Sequence, residues 1–245
     1  MKTRLILKIE IKGENVVKPI YFEGLKKIGK INQVLRNIYL AGIDEIIYLD
    51  IVSSLYRRKL NLNLVKENSK NIFVPLTIGG GITLLKDCNN FFQNGADKVA
   101  INTHALQYDE KIINEITRNY GSQSLVLNIE AKKVENDWIC YSDNGRCSSS
   151  KNILEWIKIA QDLGVGEILL QSVDRDGSKK GFDLDLYEKV LKYIRVPLIV
   201  ASGAGKLEHI SSLLKIHKPE GICVSTMIYE DTKNINLIKR LIDEQ

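Results

Sequence analysis

Two glutamates share one local pattern. Leu5-Ile6-Leu7-Lys8-Ile9-Glu10-Ile11-Lys12 is an apolar run that reaches a carboxylate and, two residues on, a lysine. Leu125-Val126-Leu127-Asn128-Ile129-Glu130-Ala131-Lys132 repeats it 120 residues later, about half of a 245-residue chain. A carboxylate at the end of each of two strands can give or take a proton on a substrate lying between them, as general acid or base. The competing use is charge neutralisation, with either glutamate paired to Lys12, Lys18 or Lys132. The matched placement of the two acids favours chemistry.

Short loops of glycine and hydroxyl residues recur around them. Gly79-Gly80-Gly81, Asn102-Thr103, Asp176-Gly177-Ser178, Ser202-Gly203-Ala204-Gly205 and Ser225-Thr226 each follow or end an apolar run. Glycine lets backbone N–H groups approach an anion, and Ser and Thr hydroxyls add donors. One such loop would serve only a turn. Here Gly81, Asn102 and Thr103 form one set, and Asp176, Gly177, Ser178, Ser202, Gly203, Ser225 and Thr226 another, half a chain apart. That arrangement predicts a small-molecule substrate carrying a phosphate at each end. Asp50 and Asp174 also stand at strand ends, the latter beside Arg175 as a possible pair. Lys18 is placed to orient an acid, touch the substrate or neutralise charge.

The elements that must position these residues follow from hydrophobic pattern. Ile-, Val- and Leu-rich runs at Arg4–Ile11, Glu45–Ile51, Ile72–Ile78, Lys98–Ile101, Ser124–Ile129, Glu167–Gln171, Val196–Ala201 and Gly221–Val224 read as strands buried on both faces. Segments of helical period lie between and after them: Ile31–Leu40, Leu60–Asn68, Leu84–Phe92, Glu110–Asn119, Ile153–Leu163, Leu184–Ile194, Lys206–Ile216 and Lys233–Ile242. Eight strands alternating with eight helices predict an α/β fold, a (β/α)8 TIM barrel.

A repeat strengthens this. Val74-Pro75-Leu76 recurs as Val196-Pro197-Leu198, Glu45-Ile46-Ile47 as Glu167-Ile168-Leu169, and Gly81 as Gly203, each 122 residues apart. One domain built from two duplicated half-barrels, roughly 1–122 and 123–245, accounts for it. The stretches 14–30 and 133–150 are long loops after the first and fifth strands, and Asn144-Gly145 marks a turn in the second. Such loops lie at the C-terminal mouth, where barrel active sites are built.

Charges also mark the opposite end. Arg4, Glu45, Lys98 and Glu167 each begin a strand, so four residues of alternating sign converge on the barrel bottom as a plug or gate. The bulk composition is ordinary: 44% hydrophobic, 27% charged, net charge +5. The positive excess comes from scattered lysines, which argues against nucleic-acid binding. The four cysteines show no CxxC pair, so neither a metal site nor a disulfide framework is expected. Lys8, Glu10 and Lys12 interrupt the first apolar run, which is neither signal peptide nor membrane span, and a cytoplasmic protein is expected.

Seven further words give a specific match. Gly79-Gly80-Gly81-Ile82, Ala96-Asp97-Lys98-Val99, Ile101-Asn102-Thr103, Gly121-Ser122-Gln123-Ser124, Gly166-Glu167-Ile168-Leu169-Leu170, Ser172-Val173-Asp174-Arg175-Asp176-Gly177 and Ala204-Gly205-Lys206 resemble the cyclase subunit family of imidazole glycerol phosphate synthase. The resemblance covers essentially the whole chain. It implies a duplicated barrel, a bisphosphorylated substrate, no cofactor, and a glutaminase partner docked at the barrel bottom. Ammonia from that partner would cross a gate at Arg4, Glu45, Lys98 and Glu167, all of which are kept.

Two positions depart from the family. Its acid and base are aspartates where this chain has Glu10 and Glu130, which carries each carboxylate outward by about 1.5 Å. Displacements near 1 Å can cost on the order of a hundredfold in rate. Ser202 stands where the family usually has glycine. Three readings stay open. The first is a histidine-pathway lyase and cyclase that adds ammonia to a bisphosphorylated ribulosyl aminoimidazole carboxamide and releases imidazole glycerol phosphate. The second is a paralogue that helps supply ammonia for sugar amidation in surface-polysaccharide synthesis. The third is a non-catalytic ammonia conduit.

Overall fold

A computed structural model describes residues 2–59, 61–70 and 72–244. The strands, in chain order, are β1 (Arg4–Lys12), β2 (Asn15–Ile20), β3 (Glu23–Lys30), β4 (Glu45–Asp50), β5 (Leu76–Gly79), β6 (Lys98–Ile101), β7 (Leu125–Val134), β8 (Asp137–Ser142), β9 (Cys147–Asn152), β10 (Glu167–Ser172), β11 (Leu198–Ala201) and β12 (Gly221–Cys223). Eight of them pair in parallel in the order β1, β4, β5, β6, β7, β10, β11, β12, and β12 returns to β1. The sheet closes on itself, so the expected (β/α)8 barrel is the fold.

The eight barrel strands are built for burial on both faces. All six residues of β4 are buried, as are all six of β10. One face of the sheet packs under the helices; Ile31, Leu35 and Ile38 of the helix Ile31–Leu40 supply the apolar stripe at helical spacing. The other face fills the barrel with Ile6, Ile47, Val126, Leu169 and Ile199. Among the described residues, no helix is long and apolar enough to cross a membrane.

The differences from expectation have local causes. The strands anticipated from Ile72 and Val196 begin only at Leu76 and Leu198. Pro75 and Pro197 precede them, and proline has no N–H for the ladder. Their carbonyls still accept, from Ile46 N and Ile168 N, both at 3.0 Å. The helix anticipated over Leu60–Asn68 is found at Leu62–Ser69; Leu60 lies outside the described residues. The stretches 14–30 and 133–150 are not irregular loops but antiparallel hairpins. β2–β3 folds back on β1, and β8–β9 on β7. Asp143, Asn144 and Gly145 all take positive φ at the tip of the second.

Candidate active site

Alternation along the barrel strands sorts the inward residues into layers. At the N-terminal end, Arg4 on β1, Glu45 on β4, Lys98 on β6 and Glu167 on β10 meet as a closed ring of alternating charge. Arg4 pairs with both glutamates, and Lys98 Nζ lies 3.0 Å from Glu45 and 2.7 Å from Glu167. Thr77 adds a hydroxyl 3.4 Å from Glu45. All four expected gate residues are therefore brought together. Above them lies the apolar filling of the barrel.

Above that filling, the inward side chains turn polar again. Lys8 and Glu10 on β1, Asn128 and Glu130 on β7, and Gln171 on β10 are all buried. Glu10 is fully buried between two ammonium groups. Lys8 Nζ is 2.7 Å from Oε1, and Lys18 Nζ donates to Oε2 at 2.8 Å. Burial alone would raise this carboxyl; the charges of Lys18 and Lys8 outweigh it and hold it below the ordinary carboxylate range. Lys18, delivered by β2, also donates to Asp176 at 2.9 Å, and these carboxylates together raise its own pKa despite burial.

Glu130 has a different environment. Its Oε2 accepts from Gly145 N at 2.7 Å, and its Oε1 from Asn128 at 3.3 Å. No lysine or arginine pairs with it among the described residues. Burial therefore dominates and pushes the carboxyl up to about 7, against the pull of the Gly145 N–H, the more distant Lys8 charge and the neighbouring asparagines.

The surroundings of the two sets of glycine and hydroxyl residues also differ. Asp50, Gly81, Asn102 and Thr103 line a cavity of about 580 Å³ that also reaches Glu10 and Glu130. Arg57, Arg58 and Lys59, from the segment after β4, make its wall basic. Gly81 has φ 67°, and a Cβ there would lie 2.5 Å from the Arg58 carbonyl oxygen. Asp176, Gly177, Ser202, Gly203, Ser225 and Thr226 line a separate crevice of only about 20 Å³, with Lys8 and Lys18 on its floor.

Not every expected residue presents a free donor. Ser178 turns away and donates to Arg175 O at 2.8 Å, outside the crevice lining. Ser225 donates to Lys8 O at 2.8 Å, whereas Thr103 accepts from Asp143 N at 3.1 Å, which leaves its own O–H uncommitted. Asp174 accepts from Lys133 N at 2.8 Å rather than pairing with Arg175. Lys12 is exposed, and Lys132 lies over the Tyr141 ring at 5.5 Å; neither pairs with an acid. Ser202 sits at φ 78°, a left-handed backbone where glycine would be unstrained, and its Oγ is buried without a partner.

Sequence reasoning missed Lys8, Asn128 and Gln171. The signal was there: counting by twos from Arg4 in the charged ring leads through Ile6 and Lys8 to Glu10, and from Glu167 through Leu169 to Gln171. Among the described residues, no group of three or more His, Cys, Asp or Glu is placed to hold a metal ion.

Residues 4–234 match the family model described as histidine biosynthesis protein. The chain is 43% identical over 206 residues to the imidazole glycerol phosphate synthase subunit HisF of Legionella pneumophila, covering 84% of this chain and 97% of that protein. It is 35% identical over 242 residues to the subunit of the same name from Sulfurisphaera tokodaii, covering 99% and 96%. A third such subunit, from Chlorobium phaeobacteroides, is 41% identical over 207 residues, covering 84% and 82%.

Proposed function

The chain belongs to the histidine biosynthesis protein family, and from that premise we propose that it is the cyclase subunit of an imidazole glycerol phosphate synthase. It works beside a glutaminase subunit, uses the ammonia that partner releases, and converts a bisphosphorylated ribulosyl aminoimidazole carboxamide to imidazole glycerol phosphate. Its barrel comprises two duplicated halves, roughly 1–122 and 123–245.

The observation that carries this reading is the column of layers along the barrel axis. A charged ring closes the bottom, an apolar filling follows, and two carboxylates stand at the top beside the cavity. Neutral ammonia crosses an apolar zone far more readily than ammonium does, because burying an unpaired charge is costly. The partner docks against the ring of Arg4, Glu45, Lys98 and Glu167. One phosphate end is held by Gly81, Asn102 and Thr103, with Asp50 fixing Arg58 (3.3 Å) in the cavity wall. The other is held by Gly177, Ser202, Gly203 and Thr226, with Lys18 released from Asp176 as the added cation.

Opposite shifts support different roles for the two acids. Glu10, held ionised, is the general base; Glu130, protonated below about pH 7, is the general acid. The test is incubation of the purified chain with the bisphosphorylated substrate and an ammonium salt. Formation of imidazole glycerol phosphate is expected. Intact binding without product sinks this reading.

One observation favours a second reading, the paralogue that helps a glutaminase feed sugar amidation. The second crevice, at about 20 Å³, is too small for a phosphate while Lys18 spans Glu10 and Asp176. Under that reading glutaminase activity rises on mixing with this chain while the histidine-pathway substrate stays unchanged.

A further inference from the structure

Lys8 has no role in the assignments above, yet it occupies the centre of the site. It is 3% exposed and lines both the large cavity and the small crevice. Its backbone is pinned: the Lys8 carbonyl accepts from Ser225 Oγ at 2.8 Å and from Tyr229 Oη at 3.3 Å. Its side chain crosses the barrel from β1, with Nζ in contact with Glu10 and donating to Gln171 on β10. Gln171 Nε2 donates to Asn128 Oδ1 at 2.5 Å, and Asn128 Nδ2 donates to Glu130 Oε1 at 3.3 Å. One unbroken chain, Glu10–Lys8–Gln171–Asn128–Glu130, thus joins the two acids through three strands.

We propose that Lys8 is a positioning residue that makes the two matched glutamates unlike, by ion-pairing Glu10 directly and reaching Glu130 only through two neutral amides. Each amide in the chain has its oxygen turned toward Lys8 and its N–H₂ toward Glu130. The ammonium therefore fixes both amide orientations, and the last donor is aimed at Glu130. Glu10 receives the full charge; Glu130 receives a neutral hydrogen bond and the weakened field of a distant cation. Among the described residues, the other charged or titratable groups around this cluster include Lys18 from β2, Asp176 after β10, Cys223 on β12, Tyr229 beyond it, and Asp50 and Asp143 in the same cavity lining. Of these, only Lys18 is a second cation on Glu10, so Glu10 stays ionised without Lys8 but is less firmly held.

The catalytic meaning of this inference rests on the proposed acid–base pair; its test does not. In full-length protein with ¹³C-labelled glutamate carboxyls, assigned through Glu10→Gln and Glu130→Gln, both groups are titrated by NMR. In Lys8→Met the Glu10 midpoint is expected to rise by at least about one pH unit, the size of a lost close ion pair. The Glu130 midpoint should rise by less. Gln171→Leu should raise the Glu130 midpoint and leave Glu10 in place, and Lys8→Arg should preserve the Glu10 value. Midpoints within about 0.3 unit of wild type in Lys8→Met overturn the proposal. If Lys8→Met does not fold, Gln171→Leu decides: an unmoved Glu130 overturns it. A chain that shows these shifts but never turns over the substrate keeps this inference and loses the proposed reaction.

Discussion

Glu10 on β1 and Glu130 on β7 stand on opposite sides of the barrel mouth. Glu10 is flanked by two ammonium groups at 2.7 and 2.8 Å, and the crevice beside it is nearly filled. Glu130 accepts from a backbone N–H and an amide, and both acids reach the open cavity. Repetition in sequence supplied the same residue type twice; the neighbours made the two chemically different. The hairpins illustrate how. β2–β3 brings Lys18 onto Glu10, whereas β8–β9 brings the Gly145 amide onto Glu130. Two matched positions thereby acquire opposite electrostatic surroundings, which the proposed division into base and acid uses.

The sharpest way to break this comparison is to remove each charge in turn. Glu10→Gln and Glu130→Gln should each lower turnover by roughly 10²- to 10⁴-fold, the usual share of general acid–base catalysis, with substrate affinity little changed. Steady-state rates and calorimetric binding check this; persistence of activity in both variants would make the pair structural.

The bottom ring offers a contrast of charges that must stay paired. Lys98→Met leaves Glu45 and Glu167 with Arg4 alone. Breaking a buried pair by removing one partner costs about 3–5 kcal/mol, less here because Lys98 retains some exposure. Denaturant unfolding measures the loss. Glutamine-driven turnover with the partner should fall further than ammonium-driven turnover, and equal losses would remove the ring from the ammonia route.

The two acids should also respond oppositely to pH in the resting protein. Glu130 titrates higher folded than unfolded, so its contribution is complete below about pH 4.5 and is lost as pH rises toward about 7. The loss is about 3 kcal/mol. Glu10 titrates lower when folded, so its contribution is present above the ordinary carboxylate range and is lost in acid. Unfolding free energy in Glu130→Gln should therefore fall less between pH 5 and 7 than in wild type; identical slopes would contradict the raised value. The smallest effect concerns Ser202. Relief of its left-handed strain by Ser202→Gly should raise stability by about 1 kcal/mol or less, since glycine's extra unfolded freedom offsets part of the gain. Thermal unfolding reads that difference.

Much of this was legible in the chain itself. The barrel, the charged ring at its bottom and the positions of both acids follow from strand pattern and the 122-residue repeat, because buried parallel strands leave a strong apolar signature. The hairpins after β1 and β7 were read as loops, because β3 is polar and largely exposed and lacks that signature. Lys8 was passed over because a lysine inside an apolar run reads as an interruption, and its partner Gln171 lies 163 residues away. The unequal openings beside the two glycine and hydroxyl sets were likewise invisible, since Lys18 lines the smaller one while spanning Glu10 and Asp176.

Under the proposed reaction, environment, not residue type, divides the labour between the two glutamates. The direct measurement is kcat/KM for the bisphosphorylated substrate against pH, with free ammonia held constant and the partner absent. The rate should fall as pH rises through about 7, as Glu130 loses the proton it donates. A rate that is flat or rising between pH 6 and 8 would contradict the assignment of Glu130 as the acid.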